Sequence, residues 1–273
     1  MTDLGASPLG HATVYQDRYD PALLFPVERA PLRAELGLLE ALPFSGEDVW
    51  TAYELSWLDE HGKPQIAIAT FRVPAASPRI VESKSVKLYL TAFNQTRFAS
   101  ASEVQAAIAR DLAHAAGAGV HVTLHEPDAF AMLPRAEPRG RCLDDLPLSI
   151  DLYAPDPDAL ATRAGIVQET VFTRLFRSVC PVTGQPDYAS VEVSYHGQAI
   201  DHAGLLRYLV SFRRHPGFHE HCVERIYVDI AHRCSPARLA VHARFTRRGG
   251  VDINPYRSSV ALPPAVNART ARQ

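Results

Sequence analysis

Residues 169–197 read ETVFTRLFRSVCPVTGQPDYASVEVSYHG, and this stretch indicates how the second half of the chain folds. The flanking runs, ETVFTRLFRSV and YASVEVSYHG, are rich in the β-branched and aromatic residues that are typical of strands. Between them, CPVTGQPD contains two prolines and a glycine, which favour a turn. The stretch therefore predicts a pair of strands joined by a short loop, with Cys180 at the start of that loop.

Two helices and a further strand are predicted after this strand pair. DHAGLLRYLVSFRRH indicates a helix that Asp201 caps and that Pro216 and Gly217 end. FHEHCVERIYVDIAHRC carries apolar residues four positions apart, which places them on one face of a second helix. RLAVHARFTRR alternates apolar and polar residues and predicts a strand.

The first half of the chain shows the same order of elements. TAYELSWLD and QIAIATFRV, separated by the turn EHGKP, predict a hairpin, and SKSVKLYLTAF predicts a short helix. Ser102 and Gln105 form a capping box for a second helix, which we expect to stop at Gly117. GVHVTLHE alternates like a strand. We therefore predict two copies of one α+β unit, each with a mostly antiparallel sheet and paired helices on one face.

Composition and charge exclude several classes of protein. The 273 residues are 47% apolar and carry a formal net charge of −2, so neither nucleic acid nor an anionic membrane is expected as a partner. No apolar run approaches the roughly 20 residues that span a bilayer. The N-terminal residues lack the basic-then-apolar order of a signal peptide. Because the four cysteines show no dense disulfide spacing, we expect reduced thiols and a cytoplasmic protein.

Cys180 is the first candidate for chemistry. A free cysteine is more often a small buried apolar residue than a nucleophile. However, a rigid loop between two strands can present a thiol at its rim, and Asp187 returns on the far side of the same loop. Asp187 could act as proton donor or acceptor to whatever the sulfur attacks, although an aspartate in a turn needs no such role.

His219 and Glu220 form a second candidate, at the predicted start of the last helix. Glu220 is either a carboxylate that faces the helix dipole or an acceptor for an amidine-like N–H pair of a ligand, with His219 as an acid. Zinc is a weaker possibility: His219 and Cys222 are three positions apart and Cys180 could join them, but neither HExxH nor a CxxC pair is present.

Two further stretches suit an anionic ligand. Glu82, Ser83 and Lys84 stand at a predicted helix start, where a polar heterocycle and a phosphate could bind, although a solvated basic face is the simpler interpretation. FTRRGGVDINPYRS, residues 245–258, places two arginines beside two glycines in a predicted turn. Paired guanidinium groups beside glycine suit a phosphate, although an ordinary surface hairpin would show the same pattern. No GxGxxG or Walker motif is present, so a nucleotide would not be held in a Rossmann or P-loop manner.

Taken together, these motifs resemble the NADPH-dependent 7-cyano-7-deazaguanine reductases, the nitrile reductases of queuosine biosynthesis, in their long two-module form. The resemblance extends over nearly the whole chain, and its most specific parts are ESKSxK and CPVTxQPD in combination. The matching stretches are YQDRYDPALL, GEDVWTAYELSWL, ESKSVKLYLTAFNQTRF, CPVTGQPD, LLRYLVSFRRH, FHEHCVERI and TRRGGVDINPYRS.

The resemblance implies a tandem pair of tunnelling-fold modules, residues 1–145 with the ESKS motif and residues 146–273 with the cysteine. It implies a homodimer with active sites between modules, a small-molecule substrate, NADPH as cofactor and no metal. Cys180 would be the nucleophile that forms a thioimide with the nitrile, and Asp187 the proton donor. The implied substrate-binding residues are Val81, Glu82, Ser83, His219 and Glu220; the implied NADPH-binding residues are Ser83, Lys84, Arg248 and Gly249.

Two positions depart from the family pattern without affecting these roles. Val81 stands where isoleucine is frequent, and Tyr188 where tryptophan is common. Two alternative functions compete with nitrile reduction. A thiol-dependent nitrile or amide hydrolase would also form a thioimide but would leave Lys84 and the RRGG turn without a purpose. A non-catalytic purine- or pterin-binding protein would not need Cys180 and Asp187.

Overall fold

The computed structural model describes residues 16–39, 41–261 and 266–273. This part of the chain forms two compact units, and each unit is assembled from separate stretches of sequence. Unit 1 contains residues 16–39, 48–133 and 247–253. Unit 2 contains residues 41–47, 134–246, 254–261 and 266–273.

Unit 1 consists of short strands, a long hairpin and two helices that follow it. Its elements are β1 (Pro26–Glu28), α1 (Arg29–Ala34), β2 (Ser45–Leu58), β3 (Pro64–Pro74), β4 (Arg79–Val81), α2 (Ser83–Thr91), α3 (Ala101–Ala116) and β5 (His121–His125). Strand β1 pairs with β4, and β3 lies between β2 and β5. Aromatic residues of the hairpin and of α2 fill the core, among them Trp50, Trp57 and Tyr89.

The start of α3 differs from the prediction. Ser100, not Ser102, is the N-cap: its hydroxyl accepts a hydrogen bond from the backbone N–H of Glu103 at 3.2 Å. Ser100 has the extended backbone that an N-cap requires, whereas Ser102 already lies inside the helix, so the predicted pairing of Ser102 with Gln105 is wrong. The predicted end is confirmed, because Gly117 caps the helix in the left-handed region, with φ of 72°.

Unit 2 consists of an antiparallel sheet and two helices. Its elements are β6 (Arg141–Cys142), β7 (Thr162–Val179), β8 (Pro186–Ile200), α4 (His202–Ser211), α5 (His219–Cys234), β9 (Arg238–Phe245) and β10 (Val251–Ser258). The first residues of β2 belong to this unit and the first residues of β10 to unit 1. The strand order is β10-β9-β8-β7-β6, with only the short β6 parallel to its neighbour among the pairs described.

Alternation along the strands decides which face of the unit 2 sheet is buried. Val191 pairs with Ala243 and Val193 with Val241, and all four side chains are buried. The helices α4 and α5 pack against β7, β8 and β9. The structure is therefore α+β with mostly antiparallel strands, and it confirms the predicted element order of hairpin, helix, helix, strand in both halves.

Three boundaries in unit 2 differ from the sequence prediction. Strand β7 begins at Thr162 rather than at residue 169. Helix α4 ends at Ser211, and a 3-10 turn, Phe212–Arg214, continues to the predicted stop. Residues 251–258 form strand β10, which the sequence did not predict because Pro255 and four polar residues argue against a buried strand, although almost every residue in it is buried.

Within the described residues, the structure contains no helix with the length and apolarity needed to cross a membrane. The expectation that the N-terminus carries no signal peptide falls mainly on residues 1–15, which lie outside the described residues.

Candidate active site

The hairpin between β7 and β8 holds Cys180 at its tip. The backbone N–H of Cys180 donates to the carbonyl of Gln185 at 2.8 Å, and the carbonyl of Cys180 accepts from the N–H of Gly184 at 3.0 Å. Gly184 makes this closure possible because it occupies the left-handed region, with φ of 68°. Cys180 is 8% exposed, so the loop presents the thiol just below the surface.

Asp187 follows the loop on strand β8, where it is paired with Ser178 of β7. Its carboxylate is buried, and its Oδ2 lies 3.3 Å from Nε2 of His219. The hairpin register therefore returns the aspartate to the same end of the strand pair as Cys180, as the sequence predicts. The histidine gives this buried carboxylate a partner from α5.

A short bridge fixes the start of α5 to the end of β7. The N–H of Val179 donates to the carbonyl of His215 at 3.0 Å, and the N–H of Gly217 donates to the carbonyl of Val179 at 3.1 Å. A Cβ at Gly217 would lie 3.1 Å from Sγ of Cys222 and 3.3 Å from Nε2 of His215, which is tighter than ordinary packing. Glycine at this position therefore allows the chain to pass close to β7 before the helix begins. The sequence indicated only a helix end here.

His219, the first residue of α5, is held flat against the ring of Phe245. The ring centroids are 3.8 Å apart and the ring planes differ by 8°. Phe245 ends strand β9, is fully buried and is paired with Ala189 of β8. The sequence placed Phe245 only among the core residues of its strand, and no pattern in the chain marked it as the support of His219.

Glu220 lies in the first turn of α5 and is 3% exposed. A carboxylate there is favoured by the N-terminal end of the helix dipole.

Two residues further on, burial raises the pKa of Cys222 to about 12, although a hydrogen bond with Ser178 opposes this shift. Cys222 is therefore a protonated thiol at neutral pH, and it is less suitable than Cys180 for nucleophilic attack.

In unit 1, the ESKS motif forms the N-terminus of α2. Glu82 is its N-cap: the carboxylate accepts from the backbone N–H of Lys84 at 2.7 Å and of Ser85 at 2.8 Å. The Ser83 hydroxyl lies 3.4 Å from the same carboxylate, and the buried Val81 pairs with Pro26 of β1. Glu82 thus has a capping role that the sequence reading did not assign.

The RRGG turn, also part of unit 1, brings Gly249 against α2. Gly249 and Gly250 both have positive φ, 62° and 77°, and a Cβ at Gly249 would lie 3.2 Å from Cδ of Lys87. Lys84 and Lys87 are three positions apart on α2 and so share a face of the helix. A small cavity of about 90 Å³ lies between this turn and the helix, and Glu54 also lines it. Cationic side chains therefore lie beside the exposed glycine backbone of this turn. The sequence did not predict a role for Lys87.

The structure thus gathers the predicted site residues in two sets. Cys180, Asp187, His219 and Glu220 are gathered at one end of the β7–β8 pair and the start of α5 in unit 2. The second set is in unit 1 and consists of Val81, Glu82, Ser83, Lys84, Arg248 and Gly249. Among the residues that the structure describes, no three His, Cys, Asp or Glu side chains are arranged to hold a metal ion.

Two family models match this chain. The model described as "Nitrile reductase, 7-cyano-7-deazaguanine-reductase N-term" matches residues 15–124, and the model described as "QueF-like protein" matches residues 186–263. A solved structure, that of the archaeosine synthase QueF-Like in the apo form, aligns with a TM-score of 0.32 and 18% identity over 37% of this chain and 99% of its own. That similarity is too low to support a fold assignment.

Curated relatives match nearly the full length. The NADPH-dependent 7-cyano-7-deazaguanine reductase of Burkholderia cenocepacia (strain HI2424) is 57% identical over 271 residues, which cover 98% of each chain. The protein of the same name from Chromobacterium violaceum is 55% identical over 269 residues, covering 98% of this chain and 96% of that one. The chain therefore belongs to the family of NADPH-dependent 7-cyano-7-deazaguanine reductases.

Proposed function

We propose that this protein reduces the nitrile of 7-cyano-7-deazaguanine to the aminomethyl group of 7-aminomethyl-7-deazaguanine with NADPH, a step of queuosine biosynthesis. The names of its curated relatives state this activity for those proteins. The observation that carries the proposal is the hairpin that presents Cys180, together with the buried Asp187 and its contact with His219.

The reaction begins with Cys180 as nucleophile. Its thiolate sulfur forms a bond to the nitrile carbon, one π bond of the nitrile opens, and the nitrogen takes a proton from Asp187 in its acid form. The product is a thioimide, whose carbon accepts hydride more readily than the nitrile carbon does. His219 lies at hydrogen-bonding distance from Asp187 and can return a proton to it. NADPH, when bound, supplies the hydride, twice per nitrile because conversion to the amine takes four electrons. Between the two hydride transfers the carbon–sulfur bond breaks, which releases Cys180 as thiolate and leaves a protonated imine.

Recognition of the heterocycle is assigned to buried carboxylates. Glu220, at the start of α5, accepts hydrogen bonds from the N–H groups of the deazaguanine, with His219 beside it. Val81, Glu82 and Ser83 are assigned to the same ligand. Glu82 already accepts two backbone hydrogen bonds, and the remaining lone pairs of its carboxylate can accept from the substrate.

The NADPH-binding residues assigned here are Ser83, Lys84, Arg248 and Gly249. The turn fits a phosphate because Gly249 is exposed, has positive φ and lies against Lys87 on the face of α2 that also carries Lys84. Backbone N–H groups and cationic side chains at one turn are a common arrangement for phosphate binding. Glu54 also lines the cavity beside this turn, and its carboxylate would have to face away from a phosphate bound there.

The finer architecture belongs to the same proposal. Apart from the short β4 before α2, the order β2-β3-α2-α3-β5 is repeated as β7-β8-α4-α5-β9, which supports tandem tunnelling-fold modules, residues 1–145 and 146–273. We further propose a cytoplasmic homodimer that acts on a small molecule and binds no nucleic acid directly. The net charge of −2 supports the last point.

The deciding experiment is the intact mass of the protein after mixing with 7-cyano-7-deazaguanine without NADPH, followed by absorbance at 340 nm once NADPH is added. We expect an adduct at Cys180 and two NADPH consumed per nitrile, with neither in Cys180→Ala. An adduct that releases amide or acid without NADPH consumption would indicate a hydrolase. Binding without an adduct would indicate a non-catalytic protein.

Two variants test the assigned roles. Asp187→Asn should bind the nitrile but form the adduct slowly, and a normal rate of adduct formation would refute its role as proton donor. Arg248→Ala should raise the KM for NADPH more than the KM for the nitrile. Arg247→Ala is the matched control, because Arg247 lies over the ring of Tyr53 at 4.7 Å. An equal effect of Arg248→Ala on both substrates would place the phosphate elsewhere.

A further inference from the structure

The side chain of Gln273 is buried inside unit 2. It is only 7% exposed, and its amide group makes three hydrogen bonds. Nε2 donates to the carbonyl of Phe245 at 3.0 Å and to Oδ1 of Asn254 at 2.6 Å, while Oε1 accepts from the N–H of Thr270 at 3.0 Å. A glutamine side chain is seldom this buried unless its polar atoms are paired, as they are here.

The residues before Gln273 are fixed to Pro134 and Ala136, which belong to the same unit. The N–H of Arg269 donates to the carbonyl of Pro134 at 3.1 Å, and the carbonyl of Arg269 accepts from the N–H of Ala136 at 3.1 Å. The Arg272 side chain donates to the carbonyl of Arg174 at 2.8 Å. Gln273 therefore reaches Phe245 from a segment that is itself held in place.

Gln273 binds the end of β9 beyond the point where that strand pairs with β10. The described pairs between the two strands involve Ala240, Val241 and His242, three to five residues before Phe245. On its other side, Phe245 is paired with Ala189 of β8. The amide of Gln273 thus supplies a hydrogen-bond donor at the end of the strand that carries the ring beneath His219.

We propose that Gln273 is a positioning residue for the reaction: by binding the backbone of Phe245, it holds the ring on which His219 stacks, and so orients His219 toward Asp187. The contacts form one continuous series, from Gln273 to the carbonyl of Phe245, from the Phe245 ring to His219 at 3.8 Å, and from His219 to Asp187 at 3.3 Å. The inference rests on the proposed function, since it assigns a purpose to the orientation of His219.

The chemistry of the amide suggests a sharp perturbation. Nε2 faces two acceptors, the carbonyl of Phe245 and Oδ1 of Asn254. Gln273→Glu keeps the shape of the side chain and the acceptor for the Thr270 N–H but places a carboxylate oxygen against both acceptors of Nε2, whereas Gln273→Ala removes the donor and the Thr270 acceptor together. Arg272→Ala is the matched control, because it alters the neighbouring residue, which bonds to Arg174 and not to Phe245.

The first measurement is the chemical shift of the His219 ring protons in the free protein, assigned by comparison with His219→Gln. Protons stacked on an aromatic face are shifted upfield, so we expect a smaller upfield shift in both Gln273 variants and no change in Arg272→Ala. The second is the rate of adduct formation at Cys180 and the KM for NADPH. We expect a rate lower by about tenfold in Gln273→Glu, since small misplacements of catalytic groups are costly, with an unchanged KM.

Unchanged ring-proton shifts and an unchanged adduct rate in both Gln273 variants would overturn the proposal. Equal losses in Arg272→Ala would also overturn it, because the effect would then belong to the segment and not to the amide. If Gln273→Glu does not fold, Gln273→Ala carries the same two tests. The proposed function has a separate test: it is wrong if the unaltered protein forms no adduct with the nitrile. In that case the ring-proton shifts still test whether Gln273 orients His219.

Discussion

Glu82 caps α2 in the protein without ligand, and replacing it tests whether this capping role is energetically important. Its carboxylate accepts the backbone N–H groups of Lys84 at 2.7 Å and Ser85 at 2.8 Å, and the residue is only 2% exposed. The family resemblance assigns the same side chain to the substrate. Stability measured without substrate isolates the first role from the second.

The expected loss follows from the groups left behind. In Glu82→Ala the cap is lost, which costs about 0.5–2 kcal/mol, and the fully buried N–H of Ser85 is left without its acceptor, which adds about 1–3 kcal/mol. We therefore expect the free energy of unfolding to fall by about 1.5–5 kcal/mol. Glu82→Gln retains one acceptor oxygen, loses the charge at the helix N-terminus and turns its NH2 group toward the other backbone N–H, so a loss of about 1–3 kcal/mol is expected.

The chain offers a convenient assay because its two tryptophans, Trp50 and Trp57, both lie in the core of unit 1. Urea unfolding followed by tryptophan fluorescence therefore reports on the unit that contains α2. Ser83→Ala is the matched control, since the Ser83 hydroxyl is 3.4 Å from the carboxylate and its loss should change stability by less than about 0.5 kcal/mol.

An unfolding free energy of Glu82→Ala within about 0.5 kcal/mol of the unaltered protein would refute this reasoning, because a loss that small is within the range of a surface substitution. If only the affinity for the nitrile falls, Glu82 acts on the ligand and contributes little as a cap.

Three further predictions concern unit 2. Arg257 and Glu224 form a buried ion pair at 2.9 Å, so Arg257→Met should lower the free energy of unfolding by about 3–5 kcal/mol. Arg257→Met combined with Glu224→Gln should recover part of this loss. A double variant that is no more stable than Arg257→Met alone would contradict this prediction. Burial lowers the pKa of His221 to about 4, below the value near 6.5 of an unfolded chain, so its contribution to stability is present above pH 6.5 and is lost as the pH falls toward 4. His221→Gln should flatten the fall of the urea midpoint in that range, and an unchanged pH profile would show that His221 is not its source. Because burial raises the pKa of Cys222 to about 12, this thiol should resist iodoacetamide at pH 8 in the native protein and react after unfolding. Peptide mass spectrometry would show the modification, and a Cys222 modified as rapidly as Cys180 would refute the prediction.

The sequence was informative wherever a local pattern controls the structure. Cys180 and Asp187 could be placed on one hairpin because the strand patterns and the turn residues around them are short-range signals. The end of α3 at Gly117 and the start of α4 at Asp201 were predicted for the same reason, since a cap depends on a few neighbouring residues. Such patterns do not always identify the capping residue itself: the sequence predicted Ser102 as the cap of α3, but the cap is Ser100, because two serines within one turn fit the same motif.

The remaining features depend on residues that are distant in sequence. Phe245 and His219 are stacked because β9 ends where α5 begins, and no short-range pattern encodes that distance. Gln273 reaches Phe245 across 28 positions, and Lys87 meets Gly249 only after the chain has folded. Strand β10 was missed because it contains Pro255 and buries Asp252, Asn254 and Arg257, whose hydrogen-bond partners are distant in sequence.

The division of each unit into separate stretches has a consequence for synthesis on the ribosome. Val251 and Ile253 belong to the hydrophobic core of unit 1, whose other strands and helices end by Leu133. At about 5–20 residues per second, translation of the intervening chain takes roughly 6–24 s, during which that core lacks its last members. A nascent chain stalled before residue 247 should therefore expose apolar surface of the first unit and bind chaperones, although most of that unit has long since left the exit tunnel.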